Sequence, residues 1–240
     1  TILEFTPETK KTWLFSATMP REIRRMVKQY MDSPFEVSVD PKTTVNANIE
    51  HRYAVVKQSD KTEAMARFLE LEPDLYGVVF CRTRRDTQAL AEDLLKMGFR
   101  ADALHGEMSQ PQRDRVMSRF KNRDLQVLIA TDVAARGINI NNVDAIINFD
   151  IPNIPETYIH RIGRTGRAGK SGIAFSFCSP DEDAYIKTIE ELLQRPIKVI
   201  TDHPYPRVQP KKQKKQPNTI SKHKKGRKSE ASKKKKKRWY

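Results

Sequence analysis

The chain is 240 residues long, 38% hydrophobic and 31% charged, with a formal net charge of +15. That length fits one or two domains, and the apolar runs are strand-length, far below the roughly 20 residues that cross a bilayer. Two cysteines, Cys81 and Cys178, are too few for a disulfide framework and point to buried thiols in a reducing, cytoplasmic compartment. No signal-peptide pattern opens the chain, and neither CxxC nor HExxH occurs, so no metal site is expected.

The first forty residues read strand, helix, strand. Thr12–Phe15 is apolar and β-prone. Met19–Met31 carries Ile23, Met26, Val27 and Tyr30 at helical spacing after Pro20, and Phe35–Val39 alternates at period two. The polar, Pro-containing stretch that follows suits an interdomain linker over 41–48. From residue 49 to 202 strands and helices alternate. The strand-like runs are His51–Val56, Gly77–Cys81, Ala101–Leu104, Val127–Ala130, Ala145–Phe149 and Ile173–Phe177. Between them lie helical patterns over Lys61–Leu71, Arg85–Met97, Gln110–Phe120, Pro155–Ile162 and Asp181–Leu193, with Gly98 expected to end the second as a C′ glycine. This alternation predicts an α/β fold built on a parallel sheet. Near-continuous apolar strands agree, because both faces of such a sheet are buried.

Residues 203–240 differ in kind. They hold sixteen Lys/Arg against one acid, Glu230, so all the excess charge sits there and the preceding 202 residues are neutral. With only six hydrophobic residues they cannot bury enough apolar area to offset chain entropy, and a disordered basic tail is expected.

In an open parallel sheet, ligands collect at the C-terminal ends of the strands. The residues there are Arg82-Thr83-Arg84-Arg85, His105-Gly106 followed by Gln110-Pro111-Gln112-Arg113, Thr131-Asp132-Val133-Ala134-Ala135-Arg136-Gly137, and Asp150 ahead of His160-Arg161-Ile162-Gly163-Arg164-Thr165-Gly166-Arg167. Hydroxyls, glycines and guanidiniums suit phosphate: Arg donates a bidentate fork and Gly admits close backbone approach. Arg161, Arg164 and Arg167 are three apart, which would let them share one side of a helix. His51 and Trp13, each isolated, read as structural.

These segments resemble the motifs of DEAD-box helicases. Phe15-Ser16-Ala17-Thr18 is similar to the Ser-Ala-Thr motif, Val79-Phe80-Cys81-Arg82-Thr83-Arg84 to the fourth motif, and Leu104-His105-Gly106 with Gln110-x-x-Arg113 to the segment after it. Ala130–Gly137 resembles motif V and His160–Arg167 motif VI. The matches stand in the family's order over about residues 12–202. The resemblance implies two RecA-like domains that close on ATP and RNA. Residues 49–202 would form the second, and 1–40 only the terminal elements of the first. GxxxxGK[ST], Asp-Glu-Ala-Asp and the adenine-recognising glutamine motif are absent.

By the same resemblance, Arg164 and Arg167 would reach the γ-phosphate on closure, with His160 and Arg161 coupling that site to the other domain. Ser16, Ala17 and Thr18 would serve interdomain coupling. Arg84, Gly106, Gln110, Arg113 and Thr131 would contact RNA, mostly at phosphate and sugar. Asp132, Gly137 and Asn139 would lie at the nucleotide, and ATP with Mg²⁺ would be held mostly by the first domain. Asn139 departs from the family's usual Asp at the ribose: an amide oxygen still accepts a hydroxyl bond but lacks the charge-assisted component. The expected function is therefore ATP-dependent RNA remodelling by the complete protein, with this chain inactive alone. The competing reading is a non-catalytic RNA-binding or annealing module driven by the tail.

Overall fold

The structure is a computed structural model that describes residues 5–7, 9–16, 19, 21–37, 46–136, 140, 143–167 and 169–204. After helix α1 (Arg21–Tyr30), seven strands run β1 (Ile49–Val55), β2 (Gly77–Phe80), β3 (Ala101–Leu104), β4 (Val127–Ala130), β5 (Ala145–Asn148), β6 (Gly172–Cys178) and β7 (Lys198–Ile200). They form one sheet in the order β3-β4-β2-β5-β6-β1-β7, with every pairing parallel. The helices are α2 (Lys61–Leu71), α3 (Arg84–Lys96), α4 (Gln110–Lys121), α5 (Asp132–Ala135), α6 (Pro155–Ile162) and α7 (Asp183–Leu193). The RecA-like α/β architecture expected from the sequence is present.

Local chemistry sets the helix ends. Thr83 caps α3 by accepting from the Asp86 N–H at 3.1 Å, and Gly98 after its end takes φ +91°, a conformation that costs other residues more. Ser109 and Gln112 form a reciprocal capping box at the start of α4. Because the sheet is covered on both faces, β2, β4 and β5 are buried at every position. One core, around Leu104, Leu128, Ile146, Tyr158 and Ile189, lies on one face, and another, around Met65, Leu69, Val79, Leu94 and Ile147, on the other. Emptying such a position by Leu94→Ala costs about 2–5 kcal/mol.

Register then builds the site. Phe80 pairs with Ala130 on one side and Asn148 on the other, so β2, β4 and β5 end level. Cys81-Arg82, Thr131-Asp132 and Phe149-Asp150 therefore emerge side by side.

Four expectations need correction. Thr12–Phe15 forms no strand, and Trp13, read as structural, is 76% exposed. Residues 35–37 are likewise outside any sheet, and 38–39 lie outside the described residues. Asn46 and Asn48, assigned to the linker, belong to the domain: the Asn46 amide donates to the Gly166 carbonyl, and Gly172 N–H donates to Asn48 O at 3.0 Å. The short elements α5 and β7 were not anticipated. The rest of the linker, 41–45, and the tail from 205 onward fall outside the described residues.

Candidate functional site

Arg161, in the last turn of α6, is only 3% exposed. Its Nε and Nη2 donate to the two Asp132 carboxylate oxygens at 2.7 and 2.8 Å. Its Nη1 donates to Asn148 Oδ1 at 2.8 Å and to the Asp150 carbonyl at 2.9 Å. The guanidinium also lies 4.9 Å from the Phe80 ring centroid, within cation–π range. Asn148 in turn donates to Ser176 Oγ at 3.1 Å. One arginine thus ties the ends of β2, β4 and β5 to α6, and its donors are consumed inside the fold.

The three arginines of the cluster do not share a helix face. Helix α6 stops at Ile162, with Gly163 as its C-cap, so Arg164 and Arg167 lie beyond it. Arg164 is half-buried; its backbone N–H donates to the Arg161 carbonyl at 3.2 Å, while its side chain makes no hydrogen bond or ion pair with the described residues. Burial first, and the Arg167 charge second, hold its pKa below the ordinary value, yet a guanidinium stays cationic at neutral pH. Arg167 is exposed, with Nε donating to the Gly163 carbonyl at 2.5 Å. His160 is exposed. Asp132, His160, Arg161 and Arg164 line one cleft of about 40 Å³, room for a single water and far too small for a nucleotide.

The expected RNA-contacting residues gather on the neighbouring strand ends. Arg84 opens α3 and pairs with Glu107, next to Gly106; both partners are exposed, so the pair contributes little to stability. A side chain added at Gly106 would meet open space. Gln110 opens α4 and donates to Asp114 at 2.8 Å. Arg113 is a bridge more than a solvated cation: it donates to the His105 carbonyl at 3.3 Å and the Ala134 carbonyl at 3.2 Å, joining the β3 loop to α5. Thr131 is buried and caps α5, its hydroxyl accepting from Ala134 N–H at 3.4 Å. Ser16 is exposed. Ala17, Thr18, Gly137 and Asn139 lie outside the described residues.

Sequence reasoning missed a second polar network beside the first. Lys61, fully buried at the start of α2, donates to Glu182 Oε2 at 2.8 Å and the Phe149 carbonyl at 2.9 Å, and sits 3.7 Å from Asp150. Glu182 also accepts from Arg82 Nη2 at 2.6 Å and from the Ser179 N–H and hydroxyl. Asp150 Oδ2 accepts the Arg82 N–H at 2.8 Å. Only the position of Arg82 and Asp150 after strands hinted at this.

Both cysteines are buried at strand ends, and burial pushes the Cys178 thiol up to about 12, so it stays protonated and unreactive.

A seven-stranded parallel RecA-like sheet, with an arginine-rich turn and hydroxyl-rich strand ends on one edge, is the architecture of a helicase C-terminal domain. Comparison with known proteins agrees: residues 47–169 match the helicase conserved C-terminal domain. The chain is 44% identical over 194 residues to the DEAD-box ATP-dependent RNA helicase CshA of Bacillus cereus, aligning 81% of this chain with 37% of that protein. It resembles the structure of the E. coli DEAD-box protein SrmB bound to RraA, at 35% identity and TM-score 0.63, covering 67% of this chain and 96% of that one. It also resembles S. cerevisiae Dbp5 bound to RNA and ADP BeF3, at 29% identity and TM-score 0.73, covering 83% and 53%. The chain belongs to the helicase C-terminal domain family, within the DEAD-box proteins. It spans little more than a third of the length of the CshA relatives it matches.

Proposed function

We propose that this chain is the C-terminal part of an ATP-dependent RNA helicase that couples ATP hydrolysis to remodelling of RNA duplexes or RNA–protein complexes. The observation that carries the reading is the division of labour in the arginine cluster: Arg161 is locked, while the Arg164 side chain lies half-buried beside a cleft with no partner among the described residues. An unpaired guanidinium held in low dielectric is suited to charge that develops on a transferring phosphoryl group, and such an arginine contributes a rate factor of about 10³–10⁵. Arg167 and His160 flank it and would complete the phosphate-facing edge, with Asn139 and Gly137 near the nucleotide. The fit to Mg²⁺ is different. Asp132, the one carboxylate among the described residues that line the cleft, is engaged bidentately by Arg161, so these residues offer no open acidic ligand there, and the metal would be held by the other domain.

RNA would run across Arg84, Gly106, Gln110, Arg113 and the N-terminus of α5 at Thr131. Glu107 would release Arg84 to a phosphate, the Gly106 backbone would approach the strand, and Arg113 would hold the His105 loop in register. These contacts position a strand and carry little sequence information. The RNA-bound Dbp5 structure supports RNA over DNA as the partner. The buried free thiols are consistent with the cytoplasm.

The test is ATPase with and without RNA, in this 240-residue chain and in the complete protein carrying Arg164→Ala. No turnover is expected in the chain alone, and a loss of 10³-fold or more in the variant with an unchanged melting temperature. RNA-stimulated turnover within tenfold of wild type in the folded variant would refute the assignment. The non-catalytic reading predicts RNA binding without any RNA-stimulated ATPase in the complete protein.

A further inference from the structure

Lys61 breaks two rules at once. It is fully buried, and it is the first residue of α2, where the helix dipole disfavours positive charge. Methionine would fill similar space with no charge to desolvate, and replacing buried ion pairs by apolar side chains often leaves stability unchanged or improves it. The ammonium is therefore poorly explained by stability alone. What it does in the fold is hold the two acids of the missed network.

Of those, Asp150 is the junction. Its carbonyl accepts from Arg161 Nη1 at 2.9 Å, on the nucleotide side. Its carboxylate accepts the Arg82 N–H at 2.8 Å, two residues before Arg84 on the RNA side, and faces Lys61 Nζ at 3.7 Å. Lys61 grips the adjoining Phe149 carbonyl, so both sides of the Phe149–Asp150 turn are fixed. Through Glu182 it reaches the Arg82 side chain as well: Lys61 and Arg82 bind the two oxygens of one carboxylate at 2.8 and 2.6 Å.

We infer that Lys61, through Asp150 and Glu182, is a positioning residue that sets the RNA-side Arg82–Arg84 turn and the nucleotide-side Arg161 in one shared alignment. A displacement of Asp150 moves a donor on each side together, which is the requirement for two ligands to bias the same local state. The inference rests on the helicase reading above.

The experiment uses the complete protein. Lys61→Met combined with Glu182→Gln removes one buried charge of each sign. It keeps an oxygen acceptor for Ser179, and the Arg82 guanidinium, 56% exposed, can hydrate. RNA affinity is measured with and without a non-hydrolysable ATP analogue, alongside thermal melting and the RNA concentration giving half-maximal ATPase. Wild type should bind RNA more tightly with the analogue. In the double variant that enhancement should fall about fivefold or more, and the half-maximal RNA concentration should rise by a similar factor. The turnover number at saturating RNA should stay within about twofold; melting should fall by several degrees, because the buried Asp150 carboxylate is left without its Lys61 counter-charge. A purely structural role would lower melting or active fraction and leave the enhancement ratio intact. Should the double variant not fold, Ser179→Ala removes one hydroxyl bond to Glu182 and no charge, and should reduce the enhancement about twofold. A folded variant with the full wild-type ratio overturns the positioning role. Absence of any analogue effect in wild type overturns the helicase reading itself.

Discussion

Removing the Asp132 carboxylate should strand a buried cation. Arg161 is 3% exposed, and two of its four hydrogen bonds to the fold, at 2.7 and 2.8 Å, go to Asp132. In Asp132→Ala the guanidinium keeps Asn148, the Asp150 carbonyl and the Phe80 ring but loses its counter-charge. Breaking a fully buried pair costs about 3–5 kcal/mol. The Asp132 side chain is 32% exposed and borders a cleft of about 40 Å³, so one water can move in and the expected cost drops to about 2–3 kcal/mol. For a domain of this size that lowers Tm by roughly 5–10 °C. The reverse variant, Arg161→Met, lets Asp132 hydrate but leaves Asn148 Oδ1 buried without its donor, a loss of about 1–3 kcal/mol. In urea melts of the 240-residue chain, the cycle with the double variant should give a coupling energy of about 1–3 kcal/mol. Destabilisation below about 0.5 kcal/mol in Asp132→Ala, with coupling near zero, would show that the pair does not organise the strand ends.

Three further outcomes are expected. Burial, and then the Arg195 charge, lower the His51 pKa from 6.5 to about 4, so its contribution to stability is intact above pH 6.5 and is lost as pH falls toward 4. The loss is on the order of 3 kcal/mol, and urea melts between pH 7 and 4.5 should show a shallower decline in His51→Gln. A Cβ at Gly172 would come within 2.7 Å of Gly166 N and 2.8 Å of Thr165 Cγ2, so Gly172→Ala should cost about 1–3 kcal/mol in the same assay, whereas Gly106→Ala, in open space, should cost far less. If residues 205–240 anchor RNA through their sixteen basic side chains, chains 1–240 and 1–204 should differ in the slope of log affinity against log salt by ~0.7 per phosphate contact; equal slopes would reject the anchor.

The alternating α/β core was legible because the central strands are almost wholly apolar and the long helices carry their own hydrophobic period. Those signals are local, and Gly98 ends α3 where its sequence position predicted. Shorter elements lack them. β7 is three residues on a sheet edge, and α5 is a single turn whose evidence is one capping threonine, Thr131. Thr12–Phe15 has strand composition, but a strand needs a neighbour, and none pairs with it among the described residues. The second polar network was illegible for a different reason. Lys61 and Glu182 are 121 residues apart and each resembles an ordinary surface charge in sequence. Only the register that brings the ends of β2, β5 and β6 together turns them into a buried pair.

The arginine cluster shows how spacing alone can mislead about chemistry. Three arginines at intervals of three suggest one charged helical face. On such a face they would be equivalent, each solvated and each free to bind. Gly163 prevents that by ending α6 between the first and the second. Arg161 then remains on the helix, directed into the sheet, where Asp132 and Asn148 consume its donors. Arg164 is carried into a turn at the cleft. The turn is itself held: Thr165 donates from its hydroxyl to the Val143 carbonyl at 2.5 Å, and Gly166, at φ +65°, packs so tightly that a Cβ would lie 2.7 Å from Ile49. Arg164 therefore leaves a backbone fixed on both sides, by Arg161 before it and by Thr165 and Gly166 after it. A guanidinium presented from a rigid turn loses less entropy on meeting phosphate than one on a loose loop, and preorganisation of that kind favours the transition state over the solvated ground state. The glycines are thus part of the charge arrangement: they let neighbouring residues of one type take up a buried, fully bonded position and one that lines the cleft.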